Sequence, residues 1–182
     1  MDSLLTESNI NALSVGIIKN DRQYVFHKGE LLNGQTPNNA TQYEIASLTK
    51  TFTGTLIATA IDEDSIQLEG DIRQYFRDSF PNLAYQGQGI TIRDLLTHQS
   101  GLPNMLPNKP ELFDNPDWDQ LPFQLNEVQK GFSKADFFKA LSEVELDTFP
   151  GTNFAYSNAG ANLLGYLLEE VYQTSYADLL DE

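Results

Sequence analysis

The sequence has no cysteine and only two histidines, His27 and His98, among its 182 residues. Disulfide scaffolds, thiolate metal sites and cysteine nucleophiles are therefore excluded, and two imidazoles leave little from which to build a histidine zinc site. Positive charge is scarce as well. Eleven basic against 26 acidic side chains give a formal charge of −15. There is no basic stripe, so a nucleic-acid backbone is a poor partner for this surface. No run approaches the roughly 20 apolar residues that a membrane span needs. The opening Met1-Asp2-Ser3-Leu4-Leu5-Thr6-Glu7 lacks the basic and apolar regions of a secretory signal, which leaves localisation open. What is present suffices for a fold: 40% hydrophobic residues, with 11 Phe and 8 Tyr, can fill the core of one domain or of a large piece of one.

Pattern divides the chain into an extended start and a helical remainder. Residues 11–18 and 23–31 read as two strands joined by a Lys19-Asn20-Asp21-Arg22 turn, and the Asn-, Gly-, Pro- and Thr-rich 33–42 as a loop. Residues 47–61 are nearly uncharged and apolar around the whole helical circumference, which predicts a helix inside a domain. A short helix is expected at 72–76. Residues 90–103 read as a capped helix: Thr91 caps its start, Gly101 fits the left-handed position after its end, and Pro103 blocks continuation. The stretch 103–122 holds five of the eight prolines and the lone Trp118. Its apolar residues (Met105, Leu106, Leu112, Phe113, Trp118, Leu121, with Phe123 just beyond) favour a packed lid over disorder. Amphipathic helices are expected over 133–146, with Ser133 as N-cap, and over 156–172, opening at Ser157-Asn158, and 176–182 begins another helical pattern. No internal repeat or low-complexity tract is present.

The chemically informative residue is Lys50, the single charge between Glu44 and Asp62. A lysine among core residues needs a partner or a purpose. Ser47 stands one turn earlier on the same helical face, against the positive end of the helix dipole, so Ser-x-x-Lys sets a hydroxyl nucleophile beside a candidate base. The spacing alone is weak: about 0.4 such pairs arise by chance in this composition, and a snorkelling Lys50 with Ser47 as helix cap explains it equally well. Tyr156-Ser157-Asn158 is rarer, at about 0.04 by chance. Residues i and i+2 of an extended segment point the same way, so Tyr156 and Asn158 are able to face one cleft, the phenol to relay a proton and the amide to bind lysine and substrate carbonyl. A core tyrosine and an N-cap at Ser157-Asn158 are the plainer readings, and the cap holds on either. His98 is a weak candidate for a Ser-His-Asp triad, because no Gly-x-Ser-x-Gly elbow exists and it falls in the last turn of a helix. Asp114, Asp117 and Asp119 lack the glycine and closing glutamate of a calcium loop, and no metal or other cofactor is expected. Asn39-Ala40-Thr41 is a formal glycosylation sequon with little weight of its own.

Together these segments resemble the serine beta-lactamase and penicillin-binding protein superfamily, in its branch of class C beta-lactamases, D-Ala-D-Ala carboxypeptidases and esterases. Tyr43-Glu44-Ile45-Ala46-Ser47-Leu48-Thr49-Lys50 is similar to that branch's nucleophile segment. Leu95-Leu96-Thr97-His98-Gln99-Ser100-Gly101-Leu102-Pro103 resembles the end of its structural helix, and Phe149-Pro150-Gly151-Thr152 with 154–160 the approach to its Tyr-x-Asn motif. The likeness runs over 11–178. It implies an α+β, beta-lactamase-like fold: an all-α lobe (47–173, with lid loop 103–122) plus N-terminal antiparallel strands (11–31) of an α/β sandwich. It also implies a serine hydrolase acting through an acyl-enzyme on a beta-lactam, a D-amino-acid peptide or a small ester. Ser47 would be the nucleophile, Lys50 and Tyr156 would share its proton, and Asn158 would bind substrate and orient Lys50. The family's third motif, Lys-Thr-Gly or His-x-Gly on a facing strand, is not found, and the remaining strands of the sandwich are absent. The expectation is that 1–182 is the N-terminal part of one such domain, whose partner is the missing C-terminal half. A catalytically inactive binding module and half of a split enzyme are the alternatives. The family's members are often exported.

Overall fold

The computed structural model describes residues 2–6 and 10–181, so parts of the opening 1–7 segment, and Glu182 at the end of the last helical pattern, lie outside the described residues. It is a mixed helix and strand structure with two small antiparallel sheets, and the chain divides into two compact units that meet in sequence between Ile45 and Ala46.

The first unit is built on a hairpin, β1 (Ala12–Lys19) paired antiparallel with β2 (Arg22–Gly29), in a register running from Ala12 opposite Gly29 to Lys19 opposite Arg22. The two residues between the strands, Asn20 and Asp21, both have positive φ (50° and 59°). That is the mirror-image turn whose twist matches a two-residue hairpin, and Asn and Asp tolerate it better than other side chains. At the far end Gly29 (φ 91°) lies so close to the neighbouring strand that a Cβ would fall 2.1 Å from the Asn11 carbonyl oxygen. Glycine is therefore required there. The hairpin buries little: Ile17, Ile18, Tyr24, Val25 and Phe26 are all exposed. Its polar side chains are better satisfied. Ser14 Oγ lies 2.8 Å from His27 Nδ1 and 2.9 Å from the Tyr43 hydroxyl, and His27 Nε2 lies 2.7 Å from Asn39 Oδ1.

The second unit is a helical lobe around one apolar core. Its helices are α1 (Thr49–Asp62), α2 (Ile92–Leu96), α3 (Leu121–Gln129), α4 (Lys134–Ser142), α5 (Asn158–Tyr172) and α6 (Tyr176–Asp181). A minimal hairpin, β3 (Ala84–Tyr85) with β4 (Gln88–Gly89), adds two short strands to the lobe. The central helix is α5, whose Ala159, Leu163, Leu164, Leu167 and Leu168 are buried against Ile57 and Ala60 of α1, Ile92 and Leu95 of α2, and Phe137 and Leu141 of α4. Edge-to-face rings of Phe76, Phe80, Phe137, Phe138 and Tyr166 close one end. The Lys134 ammonium lies over two of these rings and pairs with Glu169 at 2.8 Å.

Several boundaries differ from expectation, each for a physical reason. Helix α1 is apolar around its circumference, yet only Thr53, Ile57 and Ala60 are buried, while Leu48 and Phe52 are exposed. The exposed Thr51, Thr55 and Thr59 return their hydroxyls to carbonyls three or four residues back, so the solvent side is polar with no charge ahead of the terminal Asp62. Helix α2 stops at Leu96, and the left-handed residue that ends it is His98 (φ 56°), not Gly101. Gly101 is also left-handed (φ 78°), but it belongs to the irregular chain beyond. Thr91 caps α2 as expected, in a reciprocal capping box with Asp94, and Ser133 caps α4 in the same way with Asp136. The 103–122 stretch is packed in part: Met105, Leu106 and Leu121 are buried, whereas Trp118 is 75% exposed. Its end folds into α3, which accepts Pro122 in its first turn where no backbone donor is needed. Among the described residues, no helix is long and apolar enough to cross a membrane.

Candidate active site

One wall of the site is the start of α1. A single 3-10 turn, Ala46–Leu48, runs into the helix, so Ser47 stands among the N–H groups that have no acceptor within the helix. Ala46 enters this turn at φ 47°, a conformation that costs a non-glycine residue about 1–2 kcal/mol. Strain of this kind collects where a backbone is held for a purpose. Ser47 is exposed and Lys50 half-buried in the first turn of α1. A cation at a helix N-terminus opposes the dipole, and the Lys50 ammonium is held there by donating to Asn158 Oδ1 at 2.7 Å. It also approaches Ser47 Oγ at 3.4 Å and sits 5.1 Å from the centre of the Tyr156 ring. Ser47 Oγ and the Tyr156 hydroxyl are 2.9 Å apart.

The other wall, Phe154 to Asn158, has little structure of its own and is hung on the chain that follows α2. The Gly151 N–H donates to the Gln99 carbonyl (2.8 Å), and the Ala155 N–H to the His98 carbonyl (2.8 Å). The Ser157 N–H donates to His98 Nδ1 (3.2 Å), and the Asn158 and Ala159 N–H groups both donate to the Asn104 carbonyl (2.7 and 3.1 Å). Ser157 is buried and caps α5 by accepting from the Gly160 N–H at 2.9 Å, while its own hydroxyl donates to the Pro103 carbonyl at 2.7 Å. The cap expected at Ser157-Asn158 is therefore made by Ser157, which leaves Asn158 free to turn into the site. The Asn158 amide is oriented at both ends: Nδ2 donates to Asn104 Oδ1 (3.0 Å) while Oδ1 accepts from Lys50.

All four residues named from the sequence, Ser47, Lys50, Tyr156 and Asn158, thus meet in one cluster inside the helical unit. Burial alone would raise the Tyr156 phenol, but hydrogen bonding from the Lys50 and Ser47 side chains, together with the Lys50 charge, outweighs it and holds the phenol below its usual range. Burial also pushes His98 below the ordinary imidazole value, and the Lys50 charge adds to the effect.

From the sequence, His98 is weighed only as a triad histidine and Asn104 not at all, yet both hold the 155–159 segment by hydrogen bonds. The His98 ring packs on that of Tyr156 with centroids 4.5 Å apart and meets Phe154 edge-on at 6.0 Å. Reading it as the last turn of a helix hid this, since only the early stop at Leu96 turns its ring and carbonyl toward 155–157. Asn104 carried one signal, an amide just after the Gly101-Leu102-Pro103 break, where chain direction is reset. Asp117 accepts from the Asp119 N–H in a local turn, and among the described residues no group of three or more His, Asp or Glu is placed to hold a metal ion. A cleft of about 360 Å³ opens beside Lys50 between α1, α5 and α6, lined also by Thr53, Asn162 and Tyr176, but not by Ser47 or Tyr156.

Comparison with known proteins identifies the family and the fold. The family model described as Beta-lactamase matches residues 1–182. Protein flp of Staphylococcus aureus (strain MRSA252) is 29% identical over 176 residues, which are 94% of this chain and 32% of that protein. A probable fimbrial assembly protein FimD, serogroup H1, of Dichelobacter nodosus is 28% identical over 175 residues, 90% of this chain and 40% of its own length. The chain thus spans about a third of the length of the first of these relatives. Among solved structures, a beta-lactamase/D-alanine carboxypeptidase from Yersinia pestis complexed with citrate superposes with a TM-score of 0.77 at 24% identity, covering 99% of this chain and 48% of that one. An octameric penicillin-binding protein homologue from Pyrococcus abyssi gives 0.72 at 26% identity, covering 99% and 39%.

Proposed function

Since the chain belongs to the beta-lactamase family, we propose that it carries the nucleophile and proton relay of a serine hydrolase acting through an acyl-enzyme on amide or ester carbonyls. A single contact carries this reading: the Ser47 hydroxyl lies 2.9 Å from a phenol whose acidity is raised by the lysine beside it. Ser47 Oγ forms the new bond to the substrate carbonyl carbon, and its proton passes to the Tyr156–Lys50 pair. The Ser47 N–H, at the start of the helical run, is one donor toward the developing oxyanion. Collapse of the tetrahedral intermediate breaks the bond to the leaving amine or alcohol, which takes the proton back. Water then attacks the acyl-Ser47 ester by the same proton route in reverse, releasing a carboxylic acid. Asn158 anchors the Lys50 ammonium through Oδ1, and the second hydrogen of its Nδ2, beyond the bond to Asn104, is the donor for a substrate carbonyl.

Beta-lactams, D-amino-acid peptides and small esters all offer the required carbonyl, and the fold does not choose among them. Turnover with all three classes, measured on the full-length protein with Ser47→Ala as control, tests the proposal. Wild type is expected to hydrolyse at least one class and to react with a fluorophosphonate, and Ser47→Ala to do neither. Hydrolysis or labelling that survives Ser47→Ala would overturn it.

A further inference from the structure

We propose that His98, in its neutral form, is a positioning residue for this site: its Nδ1 lone pair fixes the segment that carries Tyr156 and Asn158, and protonation of the ring releases that segment. The inference rests on the reading of Ser47 and Tyr156 as the reacting pair.

The geometry is a two-point clamp. His98 accepts from the Ala155 N–H through its carbonyl (2.8 Å) and from the Ser157 N–H through Nδ1 (3.2 Å), and Tyr156 lies between these two residues. The imidazole then packs on the Tyr156 ring itself, 4.5 Å between centroids and tilted by 40°. A backbone N–H is an obligate donor, so Nδ1 accepts and the proton of the neutral ring resides on Nε2. In the imidazolium both nitrogens carry protons. Nδ1–H then faces Ser157 N–H, donor against donor, and the bond is lost. Ser157 is also the N-cap of α5, and its neighbour Asn158 holds the Lys50 ammonium. One protonation therefore loosens the phenol, the cap and the lysine anchor together.

Burial first, and the Lys50 charge after it, favour the neutral form of the ring. Lys50 acts on it from α1, and the Tyr156 phenol faces it from the segment ahead of α5. Asp94, four residues earlier in α2, accepts from the Thr91 hydroxyl and N–H in the capping box. The same left-handed backbone that ends α2 puts the ring in place: at φ 56° asparagine is the best tolerated replacement, and its Oδ1 stands where Nδ1 does. His98→Asn is thus an acceptor that cannot be protonated, and His98→Leu removes the acceptor altogether.

Two readouts on the full-length protein separate this inference from the hydrolase reading. The first is the Ser157 backbone amide followed by NMR across pH 4–8. In wild type it is expected to shift with a single midpoint below the ordinary histidine value of about 6.5, and in His98→Asn to stay fixed. The second is the rate of Ser47 acylation by a fluorophosphonate against pH. Wild type is expected to lose rate on the acid side with the same midpoint as the Ser157 amide. His98→Asn should restore most of the neutral-pH rate without that acid limb, and His98→Leu should be slower at every pH by about tenfold or more, as displaced catalytic groups are. An amide that does not titrate, an acid limb unchanged in His98→Asn, or a His98→Leu rate equal to wild type would each overturn the role of His98. Absence of wild-type labelling at Ser47 would overturn the hydrolase reading, while the Ser157 titration would still decide whether His98 holds the segment.

Discussion

The two walls of the site are held in opposite ways. Ser47 and Lys50 ride on one continuous helical run: the 3-10 turn at 46–48 and the first turn of α1 place them one turn apart, and neither needs another segment to bring them together. Tyr156 and Asn158 stand on an irregular stretch that borrows most of its fixed points from 98–104, through the His98, Gln99, Pro103 and Asn104 acceptors. A helix supplies precision by its own hydrogen-bond ladder, whereas an irregular segment must be pinned residue by residue. The contrast teaches that the sensitivity of the second wall lies largely in residues that touch no substrate.

Breaking the first wall should have the largest effect. Lys50→Ala removes the ammonium beside Ser47 and Tyr156, and stopped-flow acylation is expected to slow by about 10²–10⁴, with little change in folding because the position is half-buried. An acylation rate equal to wild type would reduce Lys50 to a helix side chain. On the second wall, Asn104→Ala deletes the Oδ1 that accepts from Asn158 Nδ2 but keeps the carbonyl that binds Asn158 and Ala159. The expected loss is about tenfold in acylation rate, as for one neutral hydrogen bond of about 1–1.5 kcal/mol, and a rate loss as large as that of Lys50→Ala would mean that the segment itself had collapsed. Smallest in chemistry is Ser157→Ala, which strips the cap of α5 and leaves the Pro103 carbonyl without its donor. Chemical denaturation should show about 1–2 kcal/mol less stability, with acylation nearly intact well below the unfolding transition.

Acid should reveal the same asymmetry in stability. His98 is depressed below its ordinary value, so neutral His98 favours the fold fully above about pH 6.5, and that contribution fades as pH falls through the folded value. Glu169 behaves likewise at lower pH. Burial alone would raise it, but Lys134 and the Tyr176 N–H hold it below the ordinary carboxylate value, and its contribution is lost as pH drops through the carboxylate range. Thermal melts at stepped pH should therefore lose stability first in the histidine window, and His98→Asn should remove that first step alone.

Much of this was legible in the sequence where the signal is local. The hairpin turn at Asn20-Asp21, the caps at Thr91, Ser133 and Ser157, and the Ser47–Lys50 spacing all depend on residues within four positions of each other, and those are the features that matched. The meeting of Ser47 with Tyr156 spans 109 residues; its contact at 2.9 Å was reachable only by resemblance. What stayed hidden was set by packing or by backbone outliers. The exposed side of α1 is polar through threonine back-bonds that periodicity counts as neutral. The β3–β4 hairpin turns through Gln86-Gly87, with strands too short to alternate. The stop at Leu96 depends on a left-handed histidine, which no propensity favours over the Gly101 three residues on.

The most direct measurement is peptide mapping by mass spectrometry after the full-length protein has reacted with a fluorophosphonate. A single adduct on Ser47, absent from Ser47→Ala and formed far more slowly in Lys50→Ala, is the expected result. An adduct on Ser14, Ser157 or any other residue, or no adduct under conditions where the protein turns over an ester or amide, would contradict the assignment of Ser47 as nucleophile.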